Sequence, residues 1–224
     1  AAVLDDLEQA EGHALRWRDE AQVRGLGQAL RHPPAETEVP VTPPGLRGEL
    51  RPYQREGVGW LQHLSRLGLG GVLADDMGLG KTLQVLSHLL MEKAAGRTQA
   101  PSLIVVPTSL LFNWQREAEQ FAPTLRVLRL HGPQRHADYA RLGEQDLVLT
   151  TYSLVVRDIE RLQAQAWHLL VLDEAQAVKN PRAQAARAVR TLSAGQRLSL
   201  TGTPLENHLG ELWSQFDFVL PGLL

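Results

Sequence analysis

Short runs of apolar residues alternate with stretches of helical spacing along most of the chain. The apolar runs predict strands at residues 71–74, 103–106, 127–130, 147–150, 169–172 and 197–200. The stretches of helical spacing predict helices over residues 83–93, 110–121, 135–142, 153–165, 181–192 and 206–218. Continuous apolar strands that alternate with helices are typical of a parallel sheet covered on both faces, with right-handed crossovers. The pattern therefore predicts an α/β fold with a mostly parallel sheet between helices.

The amino-terminal part of the sequence has a different character. Residues 1–31 are polar, with apolar positions at helical spacing, and predict a short helical arm. Residues 32–45 hold five prolines and no helical period, which predicts a linker. The α/β lobe is then expected to occupy residues 46–224.

Composition narrows the function classes. The chain has 224 residues and no cysteine, which excludes disulfides, thiol catalysis and thiolate metal sites. No apolar run approaches the roughly 20 residues that a membrane-spanning helix needs, and no signal peptide is visible. We therefore expect a cytoplasmic protein without a membrane partner. Lysines account for three of the 23 basic residues, and a GC-rich coding sequence explains this arginine bias. The bias also suggests a bacterial host.

The first candidate site is the segment 75–82, Asp-Asp-Met-Gly-Leu-Gly-Lys-Thr, between a predicted strand and a predicted helix. Glycines allow backbone N–H groups to surround a phosphate, and a helix amino terminus adds its dipole. Lys81 would reach the β- and γ-phosphates, and the Thr82 hydroxyl would bind Mg²⁺. Asp75 stands where the general phosphate-loop pattern has glycine. A chance Gly-x-Gly-Lys-Thr loop is the alternative, and the strand-to-helix context argues against it.

The second candidate site is the pair Asp173 and Glu174 at the end of an apolar strand. Carboxylates at the end of a buried strand are costly unless a positive group or hydrogen bonds receive them. Asp173 could hold Mg²⁺ while Glu174 positions the attacking water. The alternative is a pair of surface carboxylates without a function. The phosphate loop upstream argues against this alternative, because the two segments together form a known kind of nucleotide site.

Six segments, taken in order, resemble the first RecA-like lobe of the SWI/SNF-type remodelling ATPases, relatives of the DEAD/DEAH-box helicases. The segments are residues 50–61, 75–82, 106–114, 150–152, 173–176 and 200–207. The resemblance covers roughly residues 46–220. It also accounts for Asp75, since this family carries its own form of the phosphate loop.

The resemblance implies roles for individual residues. It implies that ATP is bound by Arg51, Gln54, Asp76, Met77, Gly78, Leu79, Gly80, Lys81 and Thr82, with Gln54 at the adenine edge. It implies contacts with a DNA backbone at Thr108, Ser109, Asn113, Thr150 and Thr151. It implies coupling between the two sites through Gln176, Thr201, Gly202 and Thr203. Gln176 departs from the histidine of many relatives. Two tryptophans in these segments, Trp60 and Trp114, are interpreted as packing residues.

The implied function is the ATP-binding lobe of a DNA-stimulated ATPase that translocates on double-stranded DNA and remodels protein–DNA complexes. In the family a second RecA-like lobe supplies arginines to the γ-phosphate, and we expect it after Leu224. Without that lobe the chain should bind ATP but hydrolyse it poorly, since such arginines contribute about 10³–10⁵ in rate. A strand-separating helicase of the DEAD/DEAH branch and a nucleotide-switched binding module remain alternatives.

Overall fold

A computed structural model describes residues 39–76, 78–174, 184–202 and 209–221, with side chains of the last range from residue 214 onward. The predicted arm at residues 1–31 and the first half of the predicted linker lie outside the described residues. So do three predicted functional positions, Met77, Gln176 and Thr203. No helix within the described ranges is long and apolar enough to cross a membrane.

The described elements alternate between strand and helix along the chain. The strands are β1 (Gly71–Leu73), β2 (Ser102–Val106), β3 (Val127–Arg129), β4 (Leu147–Thr151), β5 (Trp167–Leu172) and β6 (Ala194–Leu200). The α-helices are α1 (Pro52–Arg66), α2 (Lys81–Ala94), α3 (Leu111–Phe121), α4 (Arg135–Asp138), α5 (Tyr152–Arg157), α6 (Ile159–Gln163), α7 (Gln184–Thr191) and α8 (Leu209–Val219). Two 3₁₀ turns, Thr108–Leu110 and Tyr139–Glu144, precede α3 and follow α4.

The strands form one six-stranded sheet in the order β1-β6-β5-β2-β4-β3, and every described pairing is parallel. Parallel strands with helical crossovers leave all their carboxyl ends at one edge of the sheet, where ligands of open α/β sheets bind. The predicted α/β fold is confirmed, with a sheet that is parallel throughout.

The sheet is buried on both faces, as the continuous apolar runs predict. In β2, Ile104 and Val106 pack into a core layer with α1, α2 and α3. Leu103 and Val105, which alternate with them, pack into the opposite layer with α5, α6 and α7. Successive side chains of a strand point to opposite faces, so one run of apolar residues serves two cores.

One predicted helix is interrupted at Asp158 in the structure. The predicted helix at 153–165 is two helices, α5 and α6, which meet at Asp158. The Asp158 carboxylate accepts two hydrogen bonds from Arg135, at 2.6 and 3.0 Å, and one from the Tyr139 hydroxyl at 2.8 Å. These tertiary contacts hold Asp158 out of helical geometry, and helical spacing alone cannot reveal them.

Packing of the lobe begins inside the segment predicted as a linker. The Val39 side chain is buried in the layer of α1 and α2, and its carbonyl accepts a hydrogen bond from Arg55 Nε at 2.8 Å. The Leu50 N–H donates to the Val41 carbonyl at 2.8 Å. Residues 39–45 therefore run along the lobe, although their prolines exclude them from a helix or a strand.

Candidate functional site

The carboxyl edge of the sheet brings three of the predicted functional segments together. The phosphate loop follows β1, Asp173 and Glu174 follow β5, and Thr201 and Gly202 follow β6. In the sheet β6 lies between β1 and β5, and the Thr201 N–H donates to the Leu73 carbonyl at 3.2 Å. Thr201 is fully buried there and Gly202 is half-buried.

The phosphate loop uses its two glycines for backbone geometry. Gly78 has a φ of 84° and Gly80 a φ of 79°, in the left-handed region that side chains disfavour. Gly80 is also the residue that caps α2, and a Cβ there would lie 2.5 Å from Gln54 Nε2. The first N–H groups of a helix have no partner within it, so this helix end can receive an anion.

Lys81 is the first residue of α2, and its ammonium is directed back over the loop. Its Nζ donates to the carbonyl of Asp75 at 2.6 Å and to that of Asp76 at 3.1 Å. The Asp75 carboxylate accepts a hydrogen bond from Gln84 Nε2 at 2.7 Å. Asp75, which replaces the usual glycine, therefore ties the start of the loop to the second turn of α2.

Gln54 connects α1 with the phosphate loop. Its Oε1 accepts the Arg51 N–H at 2.9 Å, and its Nε2 donates to the Leu79 carbonyl at 3.1 Å. The Tyr53 hydroxyl donates to the same carbonyl, also at 3.1 Å. Gln54 is buried, with each end of its amide bonded to the backbone. Each end keeps one further hydrogen-bonding position, so a contact with adenine stays a prediction.

Asp173 is a buried carboxylate with a donor for each oxygen. Trp114 Nε1 donates to Oδ2 at 2.7 Å, and the Glu174 N–H donates to Oδ1 at 2.9 Å. Burial raises the pKa of the Asp173 carboxyl, while these two donors and the positive charge on Lys81 oppose the rise. The charge of Lys81 thus favours the ionised form of the Asp173 carboxyl.

Glu174 has an unusual backbone conformation. Among the residues that the structure describes, Glu174 is the one residue other than glycine with a positive φ, which is 49°. Such a conformation costs about 1–3 kcal/mol and is found most often at functional sites. This conformation lies two residues after the end of β5, at the place where the sequence predicts the water-positioning residue.

The donor set at this edge fits Mg²⁺. Thr82 is half-buried, and no described group hydrogen-bonds its hydroxyl. Both Asp173 oxygens keep lone pairs beyond the one that each already uses. No group of three or more potential ligand side chains occurs in the described ranges. Mg²⁺ is usually held by one or two protein oxygens together with phosphates and waters, which this arrangement can provide.

The predicted DNA-contacting residues divide into two groups. Thr108 and Ser109 are exposed on the 3₁₀ turn after β2, and Asn113 is half-exposed and bonded to Glu117 Oε1 at 2.7 Å. Thr150 and Thr151 are only 1% and 2% exposed. Their hydroxyls lie 3.5 Å from the Leu130 carbonyl and 3.2 Å from the Ser153 hydroxyl, respectively. The first group is accessible to DNA in this conformation, and the second is not.

Two residues at the site have roles that the sequence interpretation missed. Trp114 is buried in the core as interpreted, but its indole N–H also holds Asp173. The Tyr152 hydroxyl donates to the Asp173 carbonyl at 2.8 Å. Burial and the charges of Asp173 and Glu174 raise the pKa of Tyr152, so its hydroxyl remains a donor. A buried tryptophan usually finds a partner for its N–H, which is the signal that could have identified Trp114.

Comparison with known proteins identifies the family of the chain. The family described as SNF2-related domain matches residues 53–224. The chain is 48% identical over 184 residues to the putative ATP-dependent helicase/translocase YwqA of Bacillus subtilis, covering 81% of this chain and 20% of that protein. It is 44% identical over 189 residues to the helicase SWR1 of Debaryomyces hansenii, covering 82% and 12%.

A solved relative shares the fold. The Sulfolobus solfataricus SWI2/SNF2 ATPase core in complex with double-stranded DNA superimposes with a TM-score of 0.76 at 43% identity, covering 81% of this chain and 38% of that one. The chain thus spans about a fifth or less of the Bacillus and Debaryomyces proteins and under two fifths of the Sulfolobus one. With its parallel sheet and phosphate loop, the chain belongs to the SNF2-related domain family and has the RecA-like fold of the family's first ATPase lobe.

Proposed function

We propose that the chain binds ATP with Mg²⁺ as the nucleotide-binding lobe of a DNA-stimulated ATPase. The whole protein would move along double-stranded DNA and remodel protein–DNA complexes. One observation supports this most strongly: Lys81 lies on a glycine loop at a helix amino terminus, at the same carboxyl edge of the sheet as the buried Asp173.

The residues at the carboxyl edge of the sheet are assigned separate roles in nucleotide binding and hydrolysis. The N–H groups from Gly78 to Thr82 would receive the phosphates, and the Lys81 ammonium would exchange its two carbonyl partners for phosphate oxygens. Thr82 and Asp173 would hold Mg²⁺, which supplies charge neutralisation at the phosphate oxygens. Glu174 would accept a hydrogen bond from the attacking water and orient it.

Double-stranded DNA is proposed as the partner at the same edge of the lobe. A relative at 43% identity was solved with double-stranded DNA. The exposed Thr108 and Ser109 offer hydroxyl groups at the end of β2, and such groups bind phosphates without reading base sequence. The net charge of −2 gives no general attraction for DNA, so binding has to come from local contacts of this kind.

Efficient hydrolysis is proposed to need a second RecA-like lobe. At the described edge, the Lys81 ammonium hydrogen-bonds the phosphate loop itself. Arginines contributed from outside the phosphate loop raise phosphoryl-transfer rates by about 10³–10⁵. The chain alone should therefore bind ATP far better than it hydrolyses it.

The nucleotide assignment is tested by replacing Lys81 with alanine. The variant loses charge-assisted hydrogen bonds of about 1.5–3 kcal/mol, so its affinity for an ATP analogue with Mg²⁺ should fall about 10–100-fold in calorimetry. Lys93→Ala is a matched control, because Lys93 lies on the same helix and pairs with Asp146 at 2.8 Å, away from the loop. Equal affinities for both variants and the wild type would contradict the assignment.

Translocation is separated from the alternatives by assays on a protein that includes a second lobe. DNA-stimulated ATP turnover without strand displacement supports the translocase. Robust unwinding of a duplex would instead favour a strand-separating helicase. Nucleotide binding with no stimulation of turnover by DNA would favour a nucleotide-switched binding module.

A further inference from the structure

Asp173 is held from both faces of the sheet by donors on different helices. Trp114 is the fourth residue of α3 and belongs to the core layer that includes α1 and α2. Tyr152 is the first residue of α5 and packs against the opposite layer. Their donor atoms meet Asp173 at 2.7 Å on the carboxylate and 2.8 Å on the backbone carbonyl.

The Trp114 bond fixes the orientation of the Asp173 carboxylate. With Oδ2 bound to the indole and Oδ1 bound to the Glu174 N–H, the carboxylate plane cannot rotate without breaking a buried hydrogen bond. Trp114 is 1% exposed, so water cannot easily replace it as the donor. The remaining lone pairs on the two Asp173 oxygens therefore keep a fixed orientation.

The Tyr152 bond fixes the peptide between Asp173 and Glu174. Its acceptor is the carbonyl of that peptide, and Glu174 has its left-handed φ of 49° directly after it. A strained conformation persists only when surrounding contacts over-determine it. The Tyr152 hydroxyl is such a contact, since it resists rotation of the peptide toward a relaxed conformation.

We propose that Trp114 and Tyr152 are positioning residues for the metal and water site: Trp114 aims the Asp173 carboxylate at Mg²⁺, and Tyr152 holds the peptide that directs Glu174. The proposal rests on the assignment of Asp173 as a metal ligand in the proposed function. Partners that orient a metal ligand typically contribute 10–100-fold in metal affinity.

Phenylalanine variants of the two residues test the proposal. Trp114→Phe and Tyr152→Phe each remove the donor and keep an aromatic ring in the core. Trp167→Phe is the control for the first, because Trp167 is equally buried and donates to the Leu162 carbonyl at 3.1 Å. Tyr139→Phe is the control for the second, because its hydroxyl donates to Asp158 at 2.8 Å.

The measurement is the dissociation constant of a non-hydrolysable ATP analogue, determined with Mg²⁺ and again with EDTA. The ratio of the dissociation constant in EDTA to the dissociation constant with Mg²⁺ gives the contribution of the metal to affinity. Trp114→Phe should reduce that ratio about tenfold or more, with unchanged affinity in EDTA. Tyr152→Phe should reduce it in the same direction, because the peptide that Tyr152 holds also carries the Glu174 N–H that donates to Asp173 Oδ1. Both control variants should keep the wild-type ratio, even where they lower the unfolding temperature by a similar amount.

Each outcome decides one part of the reasoning. A wild-type ratio in Trp114→Phe overturns its role, and a wild-type ratio in Tyr152→Phe overturns that of Tyr152. A wild type that binds no analogue, or binds it equally well in EDTA, refutes the proposed metal–nucleotide site instead. If Trp114→Phe does not fold, benzothienylalanine at position 114 keeps the ring shape and replaces the N–H by sulfur, and the same tenfold reduction is expected.

Discussion

Acidification is expected to destabilise the lobe through one buried histidine, His88 on helix α2. Its Nδ1 lies 2.7 Å from Gln62 Nε2, and its Nε2 lies 3.0 Å from Gln196 Oε1. A neutral imidazole with its hydrogen on Nε2 satisfies both contacts, since Nδ1 accepts from Gln62 and Nε2 donates to Gln196. A second proton on Nδ1 would face the Gln62 amide hydrogens.

The magnitude follows from the pKa of His88. Burial lowers this pKa from 6.5 to about 4, with smaller opposing effects of Glu92 and Gln196 and smaller reinforcing effects of His168 and Arg97. Because the folded-state pKa is the lower one, the stabilisation is complete above pH 6.5 and is lost as the pH falls toward 4. The expected loss is about 2 kcal/mol at pH 5 and about 3 kcal/mol at pH 4.

Urea denaturation at pH 7.5 and pH 5.0 measures this loss in the wild type and in His88→Gln. The wild type should lose about 2 kcal/mol more than the variant between the two pH values. The raised pKa of Asp173 acts in the opposite direction, but it is common to both proteins and cancels. His131→Gln, at an exposed histidine, should behave like the wild type. Equal losses in the wild type and His88→Gln would refute the reasoning.

Three further predictions concern the site itself. Gly80→Ala should lower the unfolding temperature more than Gly78→Ala. Both residues have a positive φ, but only a Cβ at Gly80 would meet a neighbour, Gln54 Nε2 at 2.5 Å. The reverse order of unfolding temperatures would contradict the loop geometry. Glu174→Gln should keep nucleotide affinity and abolish turnover in a protein with a second lobe, whereas surviving turnover would exclude it as the water-positioning residue. The double variant Thr108→Ala and Ser109→Ala should weaken binding to all DNA duplexes equally in fluorescence anisotropy, and unchanged binding would contradict a backbone contact there.

The sequence predicts the middle of each strand better than its ends. The apolar run at 197–200 identifies β6, but the strand begins three residues earlier, at Ala194. The added part contains Gln196, whose Nε2 is 3.2 Å from the Leu69 carbonyl and whose Oε1 meets His88. A polar residue in a strand end is stable because distant groups bond to it, and a hydrophobic pattern carries no information about those groups.

The candidate site is predictable where its chemistry is local. Asp173 is identifiable because it directly follows an apolar strand with a charge that a buried edge must accommodate, and Lys81 because it ends the glycine loop between a strand and a helix. The partners of Asp173 are 59 and 21 residues away in the chain, at Trp114 and Tyr152. Their roles depend on the sheet order, which places β2 beside β5 and β4 on the far side of β2. Aromatic residues near a motif do not reveal which of them donates to it.

The contacts of Lys81 and Gln54 suggest how affinity and base choice are divided. Both side chains bond to the chain's own carbonyls in the structure, Lys81 to Asp75 and Asp76 and Gln54 to Leu79. For Lys81, exchange of neutral carbonyls for phosphate oxygens adds the attraction between opposite charges to bonds in which only the donor was charged. For Gln54, a bond from one of its remaining amide positions to an adenine group replaces a bond to water, with little net gain. Lys81 should therefore supply affinity for the phosphates, while Gln54 should influence which base is accepted more than how tightly it binds.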